Sequence, residues 1–120
     1  MKDIELLKSN GVDLEHGLEL LGDQEMYDET LGDFITDIES NFNNLKNYKE
    51  SGDLANYAII AHSFKSDSKY LGFMKLAELG LAHEMAGKNG DKAYIDTNFN
   101  EFVQEIGRMY TLAKKYLGRE

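Results

Sequence analysis

The absence of proline is the feature that most constrains how this 120-residue chain can fold. Proline interrupts helices and is common in the turns of sheet proteins. A chain that lacks it and is rich in Leu, Lys, Glu and Ala therefore favours helix. The strongest predicted breaks are clusters of glycine with Asn, Asp or Ser at 10–11, 22–23, 51–53 and 87–91. They divide the chain into the segments 1–9, 13–21, 23–49, 53–72, 74–87 and 91–117.

Apolar residues recur at intervals of three and four along the two longest segments, which aligns them on one face of a helix. They run from Met26 to Leu45 in the first of these segments and from Phe99 to Leu117 in the second. Four of the segments also begin with an aspartate that can accept hydrogen bonds from free backbone N–H groups and so act as an N-cap. These aspartates are Asp13, Asp23, Asp53 and Asp91.

Long helices with short connections pack as antiparallel neighbours. We therefore predict an all-α fold, an antiparallel up-down-up-down four-helix bundle formed by 23–49, 53–72, 74–87 and 91–117. Short N-terminal helical segments are expected to pack at one end of this bundle. The length predicts a single domain, 1–120, with a bundle core of 23–117.

Acidic residues are concentrated in the first part of the chain. Residues 1–50 carry 13 acidic and 4 basic side chains, whereas residues 51–120 carry 9 of each. A polyanion would be repelled by the first part and would meet no basic stripe in the second, so we expect neither nucleic acid nor a membrane as a partner. The chain has no cysteine and no apolar run of membrane-spanning length, which predicts a soluble, cytoplasmic protein. We expect a monomer, because no sustained heptad seam is left unpaired.

The first of the three histidines, His16, follows Asp13 by three residues, which puts both on one helix face. No Glu-x-x-His motif of the kind that builds a di-iron site occurs in the chain, so we predict no metal site. We interpret His16 as a solvated helix residue. His83 carries no assigned role, and we expect it to pack in the interior or lie on the surface.

His62 is the most informative histidine. A stripe of apolar and small residues faces the core, and His62 follows Ala61 of that stripe by about 100°, which places it at the margin. Lys65 and Ser66 lie one turn on, and Lys69 lies a further turn along. An accessible imidazole flanked by ammonium groups suits a nucleophile that accepts a phosphoryl group, although a solvated helix face has the same composition.

Residues 61–73 resemble the signature of histidine-containing phosphotransfer (HPt) domains, whose pattern runs roughly Ala-His-x-Leu-Lys-Gly-Ser-x-x-x-Leu-Gly. The matching positions are Ala61, His62, Lys65, Leu71 and Gly72. The likeness extends to residues 11–34 and 76–91, in matching order. It implies the four-helix fold of that family and the function of a phosphorelay intermediate. Such a protein accepts a phosphoryl group from the aspartate of a response-regulator receiver domain and passes it to another receiver.

The resemblance also implies a role for individual residues. His62 would be the phosphorylated histidine, Lys65 would stabilise the phosphoryl charge, and Ser66 would be the small neighbour of the imidazole. Glu84 falls where family members often carry Glu or Gln. It could orient the free ring nitrogen there, or it could be an ordinary exposed helix acid. Lys69 is a further candidate on its spacing alone.

The resemblance implies that the receiver supplies Mg²⁺ and the aspartate, so this chain is expected to need no cofactor. It contains no phosphate-cradling Gly-x-x-x-x-Gly-Lys loop and no kinase signature, which predicts a phosphoryl carrier without kinase or ATPase activity. The expected partners are receiver domains and a histidine kinase or hybrid kinase. The candidates for the apolar docking patch are Ile59, Phe73 and parts of the 13–21 segment, each of which could instead pack in the core.

Two positions depart from the family pattern. Ser66 stands where the family usually has glycine, and its hydroxymethyl group narrows the space around the imidazole. Asp67 stands where the family prefers a small neutral residue, but it points about 140° away from His62. These departures motivate an alternative function, a docking-only adaptor that binds receivers without transferring phosphate. An unrelated helical interaction domain is the third alternative.

Overall fold

A computed structural model describes residues 2–120, and these residues form six helices and no strand. The helices are α1 (Ile4–Ser9), α2 (Leu14–Leu21), α3 (Gln24–Ser51), α4 (Leu54–Leu71), α5 (Met74–Lys88) and α6 (Lys92–Leu117). The prediction of an all-helical chain is confirmed. Met1, the first residue of the predicted segment 1–9, lies outside the described residues.

The predicted N-caps are confirmed, and they explain where the helices begin. In each case a carboxylate oxygen accepts a backbone N–H three residues on, at 2.9–3.3 Å; the capping residues are Asp13, Asp23, Asp53 and Asp91. A further cap was not predicted: Asp3 accepts from the Glu5 N–H at 3.0 Å, so α1 begins at Ile4. Helix α3 extends beyond the predicted residue 49, because the left-handed residue that ends it is Gly52, with φ of 75°.

The four long helices contact one another in a closed order, α3 with α4, α4 with α5, α5 with α6, and α6 with α3. Their inward faces form one hydrophobic core that includes Phe34, Phe64, Leu76 and Phe102. The connections between successive long helices are two or three residues long. The molecule is elongated, with principal extents of 44 × 26 × 21 Å.

Helices α4 and α5 approach each other closely because glycines line their interface. A Cβ atom added at Gly87 would lie 2.9 Å from the Cβ of Ala58, and one added at Gly80 would lie 3.0 Å from the Cα of Lys65. Both distances are shorter than ordinary carbon–carbon contacts. Residue 84 lies between the two glycines on α5, so this close packing brings its side chain against α4.

The N-terminal helices pack on the long ones. Helix α2 contacts α3 and α4, and α1 contacts α6. The backbone N–H of Asp13 donates to the carbonyl of Gly72 at 2.9 Å, which ties the start of α2 to the end of α4. On the other side of the molecule, Arg108 donates to the carbonyl of Asn10 at 3.0 Å and pairs with the buried Glu105. Helix α2 therefore lies beside the helix that carries His62.

Candidate functional site

His62 lies on α4 at the edge of the core, as its helical spacing predicts. Its side chain is 54% exposed, whereas the preceding Ala61 is fully buried. The imidazole is therefore open to solvent on one side and in contact with the protein on the other. The two ring nitrogens meet different surroundings, which is the main feature of the site.

Nδ1 of His62 faces the carboxylate of Glu84, and the distance from Nδ1 to Oε2 is 2.9 Å. Glu84 comes from α5, 22 residues along the chain. Its side chain is only 3% exposed, so the interpretation of Glu84 as an exposed helix acid is wrong. A buried carboxylate is stable only where cations and hydrogen-bond donors compensate for its lost hydration.

Two lysines supply that compensation. Lys65 Nζ lies 2.7 Å from Glu84 Oε1, and Lys88 Nζ lies 2.9 Å from Oε2. Burial by itself raises the pKa of Glu84, but the hydrogen bonds from Lys65, Lys88 and His62 outweigh it and lower that pKa to about 2. The carboxylate is therefore ionised at neutral pH.

An ionised carboxylate can only accept hydrogen bonds, which determines the tautomer of His62. The Nδ1 atom must carry the proton that Glu84 Oε2 accepts. In the neutral ring this leaves Nε2 with its lone pair free. The geometry thus makes Nε2 the nucleophilic nitrogen of this imidazole.

Nε2 faces a separate hollow of about 360 Å³, lined by residues of α2 and α4. Ser66 Oγ lies 3.5 Å from Nε2, which is at the outer limit of a hydrogen bond. Besides His62 and Ser66, the lining residues are Leu20, Lys65, Lys69 and Tyr70. The site therefore brings together His62, Lys65, Ser66, Lys69 and Glu84, all of which the sequence singled out.

A larger, mostly apolar groove of about 650 Å³ lies on the Nδ1 side of the ring. Its walls come from α4 and α5 and include Ala55, Ala58, Ile59 and Gly87, with Glu84 and Lys88 beside the imidazole. Ile59 is 61% exposed. Leu20 and Tyr70, about half exposed, line the hollow on the other side. Exposed apolar side chains thus border His62 on both sides.

Phe73 does not join this surface, so its assignment to the docking patch is corrected. Its side chain is 2% exposed and packs edge-to-face on Phe34, with ring centroids 5.3 Å apart. It comes at the N-cap of α5, where the chain turns inward between two helices. In this structure Phe73 is a core residue and is not available to a partner.

The remaining candidates lie outside the site. His83 is fully buried, stacks on Phe102 at 4.3 Å and contacts the Tyr57 hydroxyl through Nδ1 at 2.8 Å. Burial lowers the pKa of His83 to about 4, so its ring is neutral at pH 7. His16 is half-buried, and its backbone N–H is the one that Asp13 caps.

Asp67 is directed towards α3 rather than towards His62. Burial raises the pKa of its carboxyl, and the charge of Asp37, a hydrogen bond to Asp37 and the charge of Asp33 raise it further, to about 7. Both of these aspartates lie on α3. The acid that departs from the family pattern therefore interacts with neighbouring aspartates and does not face the imidazole.

Lys88 is the site residue that sequence reasoning missed. It follows Glu84 by four residues on the same helix, a spacing at which Glu and Lys side chains meet. That signal was present in the sequence. The spacing places Lys88 in the site only because Glu84 contacts His62 on another helix.

Comparison with family models, with curated proteins and with solved structures finds no match. Within residues 2–120 no group of three or more His, Asp or Glu side chains is arranged to hold a metal ion. None of the helices described is both long and apolar enough to cross a membrane. Function is therefore inferred from the geometry around His62.

Proposed function

We propose that this chain is a histidine phosphotransfer protein of a cytoplasmic phosphorelay, with His62 as the phosphoryl carrier. The observation that carries the proposal is the imidazole itself, exposed at Nε2 and bound at Nδ1 to an ionised, buried carboxylate. The resemblance of residues 61–73 to the HPt signature supports the same conclusion. The transfer partners would be receiver domains, with a histidine or hybrid kinase upstream.

In the proposed reaction His62 Nε2 attacks the phosphorus of a receiver's aspartyl phosphate. The Nε2–P bond forms as the bond from phosphorus to the aspartyl oxygen breaks, and the electron pair leaves with the aspartate carboxylate. The ring becomes cationic in this step, because Nδ1 keeps its proton. The Glu84 carboxylate at 2.9 Å stabilises that positive charge, and transfer to a second receiver reverses the sequence.

The phosphoryl group would occupy the hollow on the Nε2 side of the ring. Lys65 and Lys69 line this hollow, and their ammonium charges would attract the phosphoryl oxygens. Lys65 already contacts Glu84, whereas Lys69 is exposed on the same face of α4. Ser66 Oγ could donate to a phosphoryl oxygen from its position beside Nε2.

A receiver would dock on the exposed apolar side chains that border the imidazole. Ile59 is the most exposed of them, and Leu20 and Tyr70 extend the surface towards α2. Lysines stand among these side chains, which gives an apolar patch with a polar rim, the usual composition of a protein interface. Ile59 remains a proposed contact residue, whereas Phe73 is excluded from the docking surface because it is buried.

We further propose that α3, α4, α5 and α6 form an up-down-up-down four-helix bundle. The closed order of their contacts and their short connections support this arrangement. The close contacts between α4 and α5 support an antiparallel pair, because residue 58 meets residue 87 whereas residue 65 meets residue 80.

The test is phosphoryl transfer from a radiolabelled, phosphorylated receiver to this protein and to His62→Gln. We expect an acid-labile, base-stable label on the wild type and none on the variant. His16→Gln and His83→Gln serve as controls, because neither histidine belongs to the site. A label that persists in His62→Gln would contradict the assignment of the carrier.

A docking-only adaptor is the second candidate function, and the position of Ser66 is the observation that favours it. Its Oγ lies 3.5 Å from Nε2, on the side where the phosphoryl group would sit. If several receivers bind the wild type but none transfers its label, the adaptor is favoured. Gain of label in Ser66→Gly would then identify the hydroxymethyl group as the obstacle.

A further inference from the structure

Lys88 contacts the carboxylate that binds the imidazole, yet it lies away from the side where the phosphoryl group would sit. We propose that Lys88 is a positioning residue that acts through Glu84 to hold His62 in the tautomer with a free Nε2. The inference deepens the proposed function and depends on it for its effect on phosphoryl transfer. Its effect on the tautomer can be measured independently.

The contacts of Glu84 show how its carboxylate is held against the ring. Its Oε2 atom lies 2.9 Å from both His62 Nδ1 and Lys88 Nζ, and its Oε1 atom lies 2.7 Å from Lys65 Nζ. Each carboxylate oxygen therefore has a lysine, and the two lysines come from different helices. Two cations on opposite oxygens restrict rotation of the carboxylate and keep Oε2 directed at the ring.

The location of Lys88 separates its role from that of the other lysines. It lines the groove on the Nδ1 side together with Glu84, whereas Ser66 and Lys69 line the hollow on the Nε2 side. A phosphoryl group on Nε2 would therefore have Lys69 as its neighbour, with the imidazole ring between it and Lys88. Lys88 therefore acts on Nδ1 of His62, through Glu84.

Removing the ammonium of Lys88 would leave Oε2 with the imidazole as its only polar partner. The carboxylate would then be held by a single lysine, Lys65 on Oε1, and could rotate so that Oε2 is no longer directed at the ring. Rotation of the carboxylate would weaken the contact from Oε2 to Nδ1–H that holds the proton on that nitrogen. The ring would populate the Nε2–H tautomer, in which the lone pair needed for attack on phosphorus is absent.

The experiment measures the His62 tautomer by long-range ¹H–¹⁵N NMR in the wild type, Lys88→Met, Lys88→Arg and Lys75→Met. Lys75 is the matched control, because it is an exposed lysine on the same helix outside the site. We expect Nδ1–H in the wild type, in Lys88→Arg and in Lys75→Met. Lys88→Met should show a substantial fraction of Nε2–H, without loss of helix by circular dichroism.

The same variants are then phosphorylated with phosphoramidate, a small donor that requires no docking. Its P–N bond breaks to release ammonia as the Nε2–P bond forms. We expect Lys88→Met to react about fivefold more slowly than the wild type, the effect of losing one solvent-accessible ion pair. Lys88→Arg should restore the rate, because a guanidinium preserves the charge.

An unchanged tautomer and an unchanged rate in Lys88→Met would overturn the proposal. So would a Lys88→Arg protein that behaves like Lys88→Met, since the positive charge at this position is what the proposal claims. If the wild type is labelled neither by phosphoramidate nor by receivers, the proposed function fails. A tautomer that depends on Lys88 would still support the positioning role in that case.

Discussion

Gly87 controls how closely α5 approaches α4, and substituting it tests whether that approach creates the site. In Gly87→Ala the new Cβ would lie 2.9 Å from the Cβ of Ala58 and 2.9 Å from the carbonyl oxygen of Leu54. Both atoms belong to the rigid part of α4, so neither can rotate away. Ordinary carbon–carbon contact requires about 3.5 Å or more, and the helices must therefore separate by about 0.6 Å.

That displacement has a structural and an energetic consequence. Applied to the 2.9 Å contact between His62 Nδ1 and Glu84 Oε2, it gives about 3.5 Å, at the limit of a hydrogen bond. Overpacking of this kind costs about 1–3 kcal/mol. The gain of alanine over glycine is up to about 1 kcal/mol, and it is smaller in the last turn of a helix. We expect the free energy of unfolding to fall by about 1–2 kcal/mol.

Urea denaturation measures the stability, and long-range ¹H–¹⁵N NMR reports whether His62 keeps its Nδ1–H tautomer. Gly107→Ala is the control, because a Cβ at Gly107 would have no neighbour within 4 Å. It gains helix propensity without a clash, so we expect its stability to rise by up to about 1 kcal/mol. A Gly87→Ala protein as stable as the wild type, with an unchanged His62 tautomer, would refute the reasoning.

Two further predictions concern the carboxyl of Asp67, on the side of α4 that faces α3, and the docking surface around His62. Burial and the neighbouring Asp37 and Asp33 raise the pKa of Asp67 to about 7, so between about pH 4 and 7 the folded state holds a proton that the unfolded state releases. Stability therefore falls as pH rises through this range. We expect the free energy of unfolding of Asp67→Asn to exceed that of the wild type by about 1–2 kcal/mol at pH 8, after allowance for solvent screening. At pH 4 the two proteins should differ little. If chemical denaturation gives the same dependence of the free energy of unfolding on pH for Asp67→Asn and the wild type, this prediction is contradicted. Ile59→Asp should weaken receiver binding about tenfold in calorimetry, because it places a charge in the apolar patch, and Met26→Asp on α3 should not. Equal affinities for Ile59→Asp and the wild type would remove Ile59 from the interface.

The sequence by itself determined the helices and the parts of the site that lie on one of them. Asp13, Asp23, Asp53 and Asp91 mark helix starts because capping needs only a carboxylate and the backbone of the next turn. His62 and Ser66 are neighbours for a similar reason, since residues four apart on a helix share a face. Helix geometry is local, so it can be predicted from spacing.

Only the tertiary structure decided which residues meet across helices. The sequence left Glu84 open between an imidazole partner and an exposed acid, and the close packing of α5 on α4 at Gly80 and Gly87 buried it against His62. The same packing gave Lys88 its place in the site. Phe73, which the sequence allows as a docking residue, is enclosed by the core. These outcomes depend on the shapes of two packed surfaces, and the periodicity of a single helix carries no information about the surface it faces.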